Sequence, residues 1–325
     1  MLTPEALELR RTGVTSGDIS AIVGVSKHRS QWDVYNDKLG LVPTDSPPDE
    51  VVEMGNHMEA PLRDLYVTKM AKAGEVITVT IPGTYAREDD PLIVGSPDGI
   101  VYRDGVAVRG LEIKTAGMPT CFDFGEPGTD QVPTLYLVQC QWYMALTGLT
   151  RWDLIVWLGH RNQTQIYTIT RHDGLISSLV ATAHEWWDRH IVAKVPPPVD
   201  GTGACADGLV ALFRDATKEI KAPSPEGDAL IEYLRDAREK AKAAEEEKAR
   251  AENLVKAFIG EAGGFVSSAG DTVTWSRFPV TRVGWKGVAE TLGKSNPVLF
   301  AELVESESTG SASSRLNVPR SWGRE

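Results

Sequence analysis

Two acidic signatures flank one tight turn, and together they constrain this chain more than any other feature. The apolar run Leu92-Ile93-Val94 is closed by Ser96-Pro97-Asp98-Gly99, and a second run from Val108 ends in Glu112-Ile113-Lys114. Between them, Tyr102-Arg103-Asp104-Gly105-Val106 carries an Asp-Gly step, a strong hairpin signal. Side chains alternate faces along a strand, so Glu112 and Lys114 share one face while Ile113 turns into the core. A hairpin here returns Asp98 beside that pair. Two carboxylates and an ammonium converging at a sheet edge suit a hard divalent cation and a water molecule, a set that can cut phosphodiester bonds. Taken by itself, the same spacing also describes a surface hairpin with a charged wet face.

The chain's 325 residues allow one large or two medium domains, and 42% hydrophobic with 24% charged residues is ordinary globular composition. Without a bilayer-length apolar run, and with MLTPEALELRR lacking the apolar centre of a signal peptide, the expectation is a soluble cytoplasmic protein with no membrane partner. Cys121, Cys140 and Cys205 are scattered, which suggests neither a disulfide framework nor a zinc or iron–sulfur site. The six histidines show no ligand spacing. A formal charge of −11 argues against a basic nucleic-acid footprint. Many of the acids, however, lie in 44–50 and 226–252, away from the Asp98–Lys114 region.

The breaker-rich run 195–203, with Pro196-Pro197-Pro198, reads as the domain boundary, giving domains of 1–198 and 199–325. Before it the pattern predicts helices near 17–24, 31–39 and 50–72, then three or four strands between 74 and 114. A Gly/Pro-rich loop (116–133), a helix (134–147), strands at 151–158 and 164–170, and a helix at 174–193 follow. The fold class is therefore α+β, a mixed central sheet flanked by helices, with a mainly helical C-terminal extension. In the extension 206–222 reads as helical. Residues 225–259 form a long solvated helix whose thin stripe includes Leu230, Leu234, Ala237 and Phe258, expected to pair with the preceding helix or another subunit. A strand at 272–275, a second near 316–318 and a flexible Ser-rich stretch at 305–314 complete it.

Two further features bear on the carboxylates. Gly55-Asn56-His57-Met58-Glu59 precedes Ala60-Pro61-Leu62; Glu59 can add a ligand from a helix, with Gly55 permitting close approach, or can be a solvated acid. In Tyr136-Leu137-Val138-Gln139-Cys140-Gln141-Trp142-Tyr143, Gln139 and Tyr143 share a helix face while Gln141 lies about 200° away, so the two glutamines do not serve one site. Gln139 is then a satisfied core amide or a phosphate-binding group. Thr15 and Asp18 fit a capping box. Trp186 and Trp187 read as packing residues, and Trp32 and Tyr35 as core.

Taken in order, Arg11-Thr12-Gly13-Val14-Thr15-Ser16, the Gly55/Glu59 pair, Ser96-Pro97-Asp98-Gly99, Glu112-Ile113-Lys114 and Tyr136/Gln139/Gln141/Met144 resemble the YqaJ-like viral recombinase family. That family includes lambda exonuclease and lies within the PD-(D/E)xK nuclease superfamily. The resemblance spans roughly residues 8–190. It implies a phage-type, magnesium-dependent 5′→3′ exonuclease on double-stranded DNA ends, with manganese as substitute. Such an enzyme leaves a 3′ overhang for a single-strand annealing protein, assembles as a ring trimer or tetramer, and works in the cytoplasm of an infected or lysogenic bacterium.

Residue by residue, the resemblance implies Glu59, Asp98, Glu112 and the Ile113 carbonyl as metal ligands, with Lys114 orienting or activating water. It implies Ser96 and Gln139, with Tyr143, at a 5′-phosphate, and Arg11 as the charged contact. One departure stands out: the family's serine before the acid is Gly17 here, so either Ser16 substitutes or the pocket loses one contact. The alternatives are a RecB-like or CRISPR-associated-type nuclease without an iron–sulfur cluster, a non-catalytic nuclease-fold DNA-binding module, and a restriction-type endonuclease.

Overall fold

The computed structural model describes residues 3–41, 50–117, 120–214, 219–275 and 285–307. The chain divides into two compact units, Met1–Ala216 and Thr217–Glu325.

In the first unit, helices α1 (Pro4–Arg11), α2 (Ser16–Ile22), α3 (Gln31–Lys38) and α4 (Glu50–Lys72) precede strands β1 (Thr78–Thr80), β2 (Tyr85–Ala86), β3 (Val94–Gly95), β4 (Gly99–Arg103) and β5 (Val106–Ala116). Helix α5 (Thr134–Thr147), β6 (Arg151–Leu158), β7 (Gln163–Thr170) and α6 (Asp173–Trp186) follow, α6 running on as π-helical turns over Trp187–Val192, before α7 (Gly203–Leu212). The main sheet has the order β1-β4-β5-β6-β7. All its pairings are antiparallel except β5 with β6. A parallel pair needs a crossover, and α5 supplies it. That connection lays α5 over the face of β5 that bears Glu112 and Lys114.

Period-two alternation sorts the strands between two cores. Trp152, Leu154, Val156 and Leu158 of β6 pack with α2, α3, α5 and α6. Leu111, Ile113 and Ile155 face the other way, onto Leu62 and Tyr66 of α4. Because helices cover both faces, Glu112 is not on a wet surface; it lies beneath α5, only 2% exposed. Close packing at two glycines makes this possible. A Cβ at Gly110 would lie 2.3 Å from the Trp152 ring, and one at Gly95 would lie 2.7 Å from Leu146 Cδ2 and 3.0 Å from Tyr143 Cε1.

Beneath the α4 face a buried polar network joins the elements. Arg109 clasps both carboxylate oxygens of Glu75, at 2.6 and 2.9 Å, and its Nε donates to the Tyr66 hydroxyl at 2.8 Å. The Tyr66 hydroxyl donates to Asp153 at 2.7 Å. Trp32, Tyr35 and Trp186 are core residues, and Trp187 is half-buried against the same core. The Trp186 indole donates to Gln31 Oε1 at 2.9 Å. The three cysteines are buried.

The Pro-rich run does not divide the units. Beyond it the chain returns to the first unit as α7, which packs on α3, with Asn36 donating to the Gly208 carbonyl at 3.1 Å. The division thus falls after 216 rather than 198, and the helix read at 206–222 is the shorter Gly203–Leu212, engaged by α3. The second unit contains α8 (Pro225–Ile259), a hairpin of β8 (Gly264–Val266) and β9 (Thr272–Thr274), and the packed pair α9 (Trp285–Ser295) and α10 (Pro297–Glu307). Residues 305–307 end α10, so they are helical rather than a loop. The strand expected near 316–318 lies outside the described residues. Among the described residues, no helix is long and apolar enough to cross a membrane.

Candidate active site

β4 pairs with β5 only as far as Gly99 opposite Leu111, whereas β6 continues alongside β5 to Ala116. Glu112 to Lys114 therefore lie where β5 has lost its neighbour on one side. Asp98, the residue just before β4, fills that gap: its Oδ2 accepts the Ile113 amide at 2.8 Å. The N–H and C=O of one strand residue point to the same side, so the Ile113 carbonyl leaves this same edge. Arg63 of α4 donates to the Asp98 carbonyl at 3.2 Å, tying that helix to the turn.

Lys114 Nζ sits 2.5 Å from Glu112 Oε1 and 5.5 Å from the centre of the Tyr136 ring. The other oxygen, Glu112 Oε2, is buried with no partner. Burial, and then the Asp98 charge, push the Glu112 carboxyl up to about 8 against the opposing pull of Lys114. Burial works against the Lys114 ammonium, but Glu112 and Asp98 outweigh it and raise Lys114 above its ordinary value. Half-buried Glu59 is raised by burial and by Asp98, and is lowered by Arg63 and Lys114. Gly55 passes near Thr115, but a Cβ there would be in ordinary contact at 3.9 Å, so close approach does not require the glycine.

Among the described residues no three His, Cys, Asp or Glu side chains form a finished metal cage. The donor set nevertheless suits a divalent cation. It offers an orphaned buried carboxylate oxygen, two acids, Glu59 and Glu112, whose proton affinity the Asp98 charge raises, and hard oxygen ligands throughout. A cation at Glu59, Asp98, Glu112 and the Ile113 carbonyl would relieve that repulsion.

A second cluster adjoins the first through Ser96. Ser16 Oγ donates to the Tyr143 hydroxyl at 2.9 Å, which donates to the Ser96 carbonyl at 3.3 Å. Ser96 Oγ lies 2.7 Å from Thr84 Oγ1 and accepts from Arg10 Nη1 at 3.1 Å. Gln139 stands one turn before Tyr143 on α5 and has a buried, unpartnered Oε1. Gln141 points elsewhere, donating to the Thr170 carbonyl at 2.7 Å and accepting the His172 amide at 3.0 Å. Ser16, Ser96 and Tyr143 thus come together.

Arg11 does not join that cluster through Ser96. Its Nε lies 3.8 Å from Asp37 Oδ1, and the guanidinium on Ser96 belongs to Arg10. Neighbours on a helix diverge by about 100°, so the two adjacent arginines leave α1 in different directions. Arg10 and Thr84 escaped the sequence reading. Arg10 falls one residue before the motif, and Thr84 reaches Ser96 only through the pairing of β2 with β3.

Asp18 anchors this corner. It accepts from the Thr15 amide and hydroxyl at 2.9 and 2.7 Å, completing the capping box of α2. It also pairs with Lys38 at 2.7 Å and Arg29 at 2.8 Å. Lys38 in turn donates to the Arg10 carbonyl at 2.5 Å.

Residues 5–150 match the YqaJ-like viral recombinase domain. YqaJ of Bacillus subtilis (strain 168) is 23% identical over 239 residues, 72% of this chain and 71% of that protein. Among solved structures, the alkaline exonuclease LHK-Exo of Laribacter hongkongensis is similar at 20% identity and a TM-score of 0.47, covering 59% of this chain and 94% of that one. A phage-related exonuclease from Haemophilus somnus 129PT is similar at 16% identity and a TM-score of 0.37, covering 56% and 96%. Over residues 5–150, then, this chain is similar to the YqaJ-like viral recombinase domain.

Proposed function

We propose that this chain is a magnesium-dependent exonuclease that degrades the 5′-ended strand of duplex DNA and leaves a 3′ overhang for strand annealing. The observation that carries this reading is the buried, unpartnered Oε2 of Glu112 beside Asp98 and Lys114 at the open edge of β5. When bound, a divalent cation supplies Lewis-acid charge at the scissile phosphate and lowers the pKa of water. Glu59, Asp98, Glu112 and the Ile113 carbonyl would hold it.

Lys114 keeps its proton beside two carboxylates. That suits Nζ to orient the attacking water and offset charge on the phosphate oxygens, and makes it a poor base. The Ser16, Ser96, Tyr143 and Arg10 cluster supports the polarity of digestion, because hydroxyls and a guanidinium are natural partners for a terminal phosphate. Gln139 would add its amide. An annealing protein as partner, a ring trimer or tetramer, and action in the cytoplasm of a phage-bearing bacterium follow from this reading.

The test is digestion in magnesium of linear duplex bearing 5′-phosphate or 5′-hydroxyl ends, beside a covalently closed circle. Faster loss of the 5′-phosphorylated duplex and an intact circle are expected. Cutting of the circle would favour a restriction-type endonuclease, and equal rates on both ends would remove the phosphate pocket.

A further inference from the structure

Helix α8 carries a second periodicity within its solvated surface. From Leu230 to Phe258, residues at alternating steps of four and three are apolar, with Lys248 the sole exception. Leu230 and Leu234 stand at one end, Val255 and Phe258 at the other, and alanines fill the middle. This is the seam of a coiled coil, four heptads long. Every residue from Asp236 to Leu254 is exposed, and Leu230 and Phe258 are 62% and 74% exposed. Helical stability in proteins comes mostly from packing an apolar face, and here that face is bare.

We propose that α8 pairs with α8 of a second copy of this chain as an antiparallel coiled coil centred between Lys242 and Ala243. The charges beside the seam select the partner, the direction and the register. One flank carries Arg238, Glu245 and Glu252; the other carries Tyr233, Lys240, Glu247 and Leu254. In an antiparallel pair each flank faces its own counterpart. At this register Arg238 meets Glu245 of the second copy, Lys240 meets Glu247, Tyr233 meets Leu254, and no like charges face each other.

A slide of one heptad in one direction sets Glu245 and Glu247 against themselves. The opposite slide does the same to Arg238 and Lys240. A parallel pair sets Glu247 against Glu252. Like charges across such a seam disfavour the pairing they would require, so a second copy in this one register is the occupant the surface fits. The alanine centre suits it too, because small residues let two helices approach closely. The pairing tethers two copies whatever reaction the first unit performs, so it does not rest on the nuclease reading.

The experiment uses the full chain, whose own three cysteines are buried. In the proposed register residue 234 faces residue 251 of the second copy. Two equivalent positions at 234 then stand about 25 Å apart, as do 234 and 251 within one helix, too far for a disulfide. Under mild oxidation Leu234→Cys/Ala251→Cys should run mainly as a covalent dimer on a non-reducing gel. Leu234→Cys alone should give at most about a tenth as much. Adding Arg238→Glu and Lys240→Glu to the double-cysteine chain should lower the cross-link about tenfold. Further Glu245→Lys and Glu247→Lys changes should restore it. No dimer from the double-cysteine chain, equal dimer from Leu234→Cys alone, or no restoration by the charge swap would each overturn the proposal.

Discussion

Replacing Asp18 by asparagine isolates the corner on which the Ser96 cluster is built. The carboxylate is 1% exposed as a residue and accepts from Thr15 twice, from Lys38 and from Arg29. The asparagine side chain would keep the shape and part of the cap, but it would strand the Lys38 ammonium, whose side chain is 1% exposed. Breaking a buried pair from one side costs about 3–5 kcal/mol, and loss of a cap about 1 kcal/mol. Because the amide retains some of the cap, the expected loss at pH 7 is about 3–4 kcal/mol, a large share of the roughly 5–15 kcal/mol of a typical domain.

The pH dependence follows from the same contacts. Burial pushes the Asp18 carboxyl up, but Arg29 and Lys38 outweigh it and hold it down to about 2, against an ordinary value of 3.8. A depressed folded pKa gives stability that is present above about pH 4 and lost as the pH falls through 2. By linkage this amounts to about 2 kcal/mol, and Asp18→Asn should remove that part of the acid sensitivity. Urea denaturation followed by tryptophan fluorescence, at several pH values from about 2 to 7, measures both effects. The companion variant Asp18→Asn/Lys38→Met, which removes both charges, should recover at least half the loss. A single variant within about 0.5 kcal/mol of the parent, or a double variant no more stable than the single, would refute the buried-pair account.

Alanine at Asp98, Glu112 or Lys114 should lower cleavage at least a hundredfold while circular dichroism stays native, and calcium should support DNA binding with little turnover; parent-like digestion by Glu112→Ala would sink the metal-site assignment. Arg10→Ala should narrow the rate difference between 5′-phosphate and 5′-hydroxyl duplex more than Arg11→Ala does, which steady-state digestion of both substrates reads directly. The raised Glu112 carboxyl carries the opposite sign to Asp18: the metal-free chain should lose stability as pH climbs from the ordinary carboxylate range toward 8. Thermal melts should show magnesium and Glu112→Gln each flattening that slope. Truncation after Ala216 should leave a folded first unit, whereas truncation after Pro198 strips α7 from α3 and should lower the melting temperature by several degrees or abolish folding.

Sequence alone located the long helices and paired strands of the first unit closely, because each carries a full period of apolar residues. The helix expected at 134–147 is Thr134–Thr147, and the strand expected at 151–158 is Arg151–Leu158. It also marked Asp98, Glu112 and Lys114, since an Asp-Gly turn and a two-residue alternation are local facts. What local signals could not carry was distance in space. The eight-residue α1 buries none of its residues and so leaves no apolar stripe, and no local signal points to Arg10 on it, whose guanidinium reaches Ser96 only in the fold. The Pro-rich run looked like a boundary because breakers are visible in sequence, while the packing of α7 on α3 joins residues some 170 positions apart. Whether the acids faced water or a helix was likewise a tertiary matter. The parallel pairing of β5 with β6 forces α5 across that face, and this crossover buries Glu112 and gives it its unpaired oxygen.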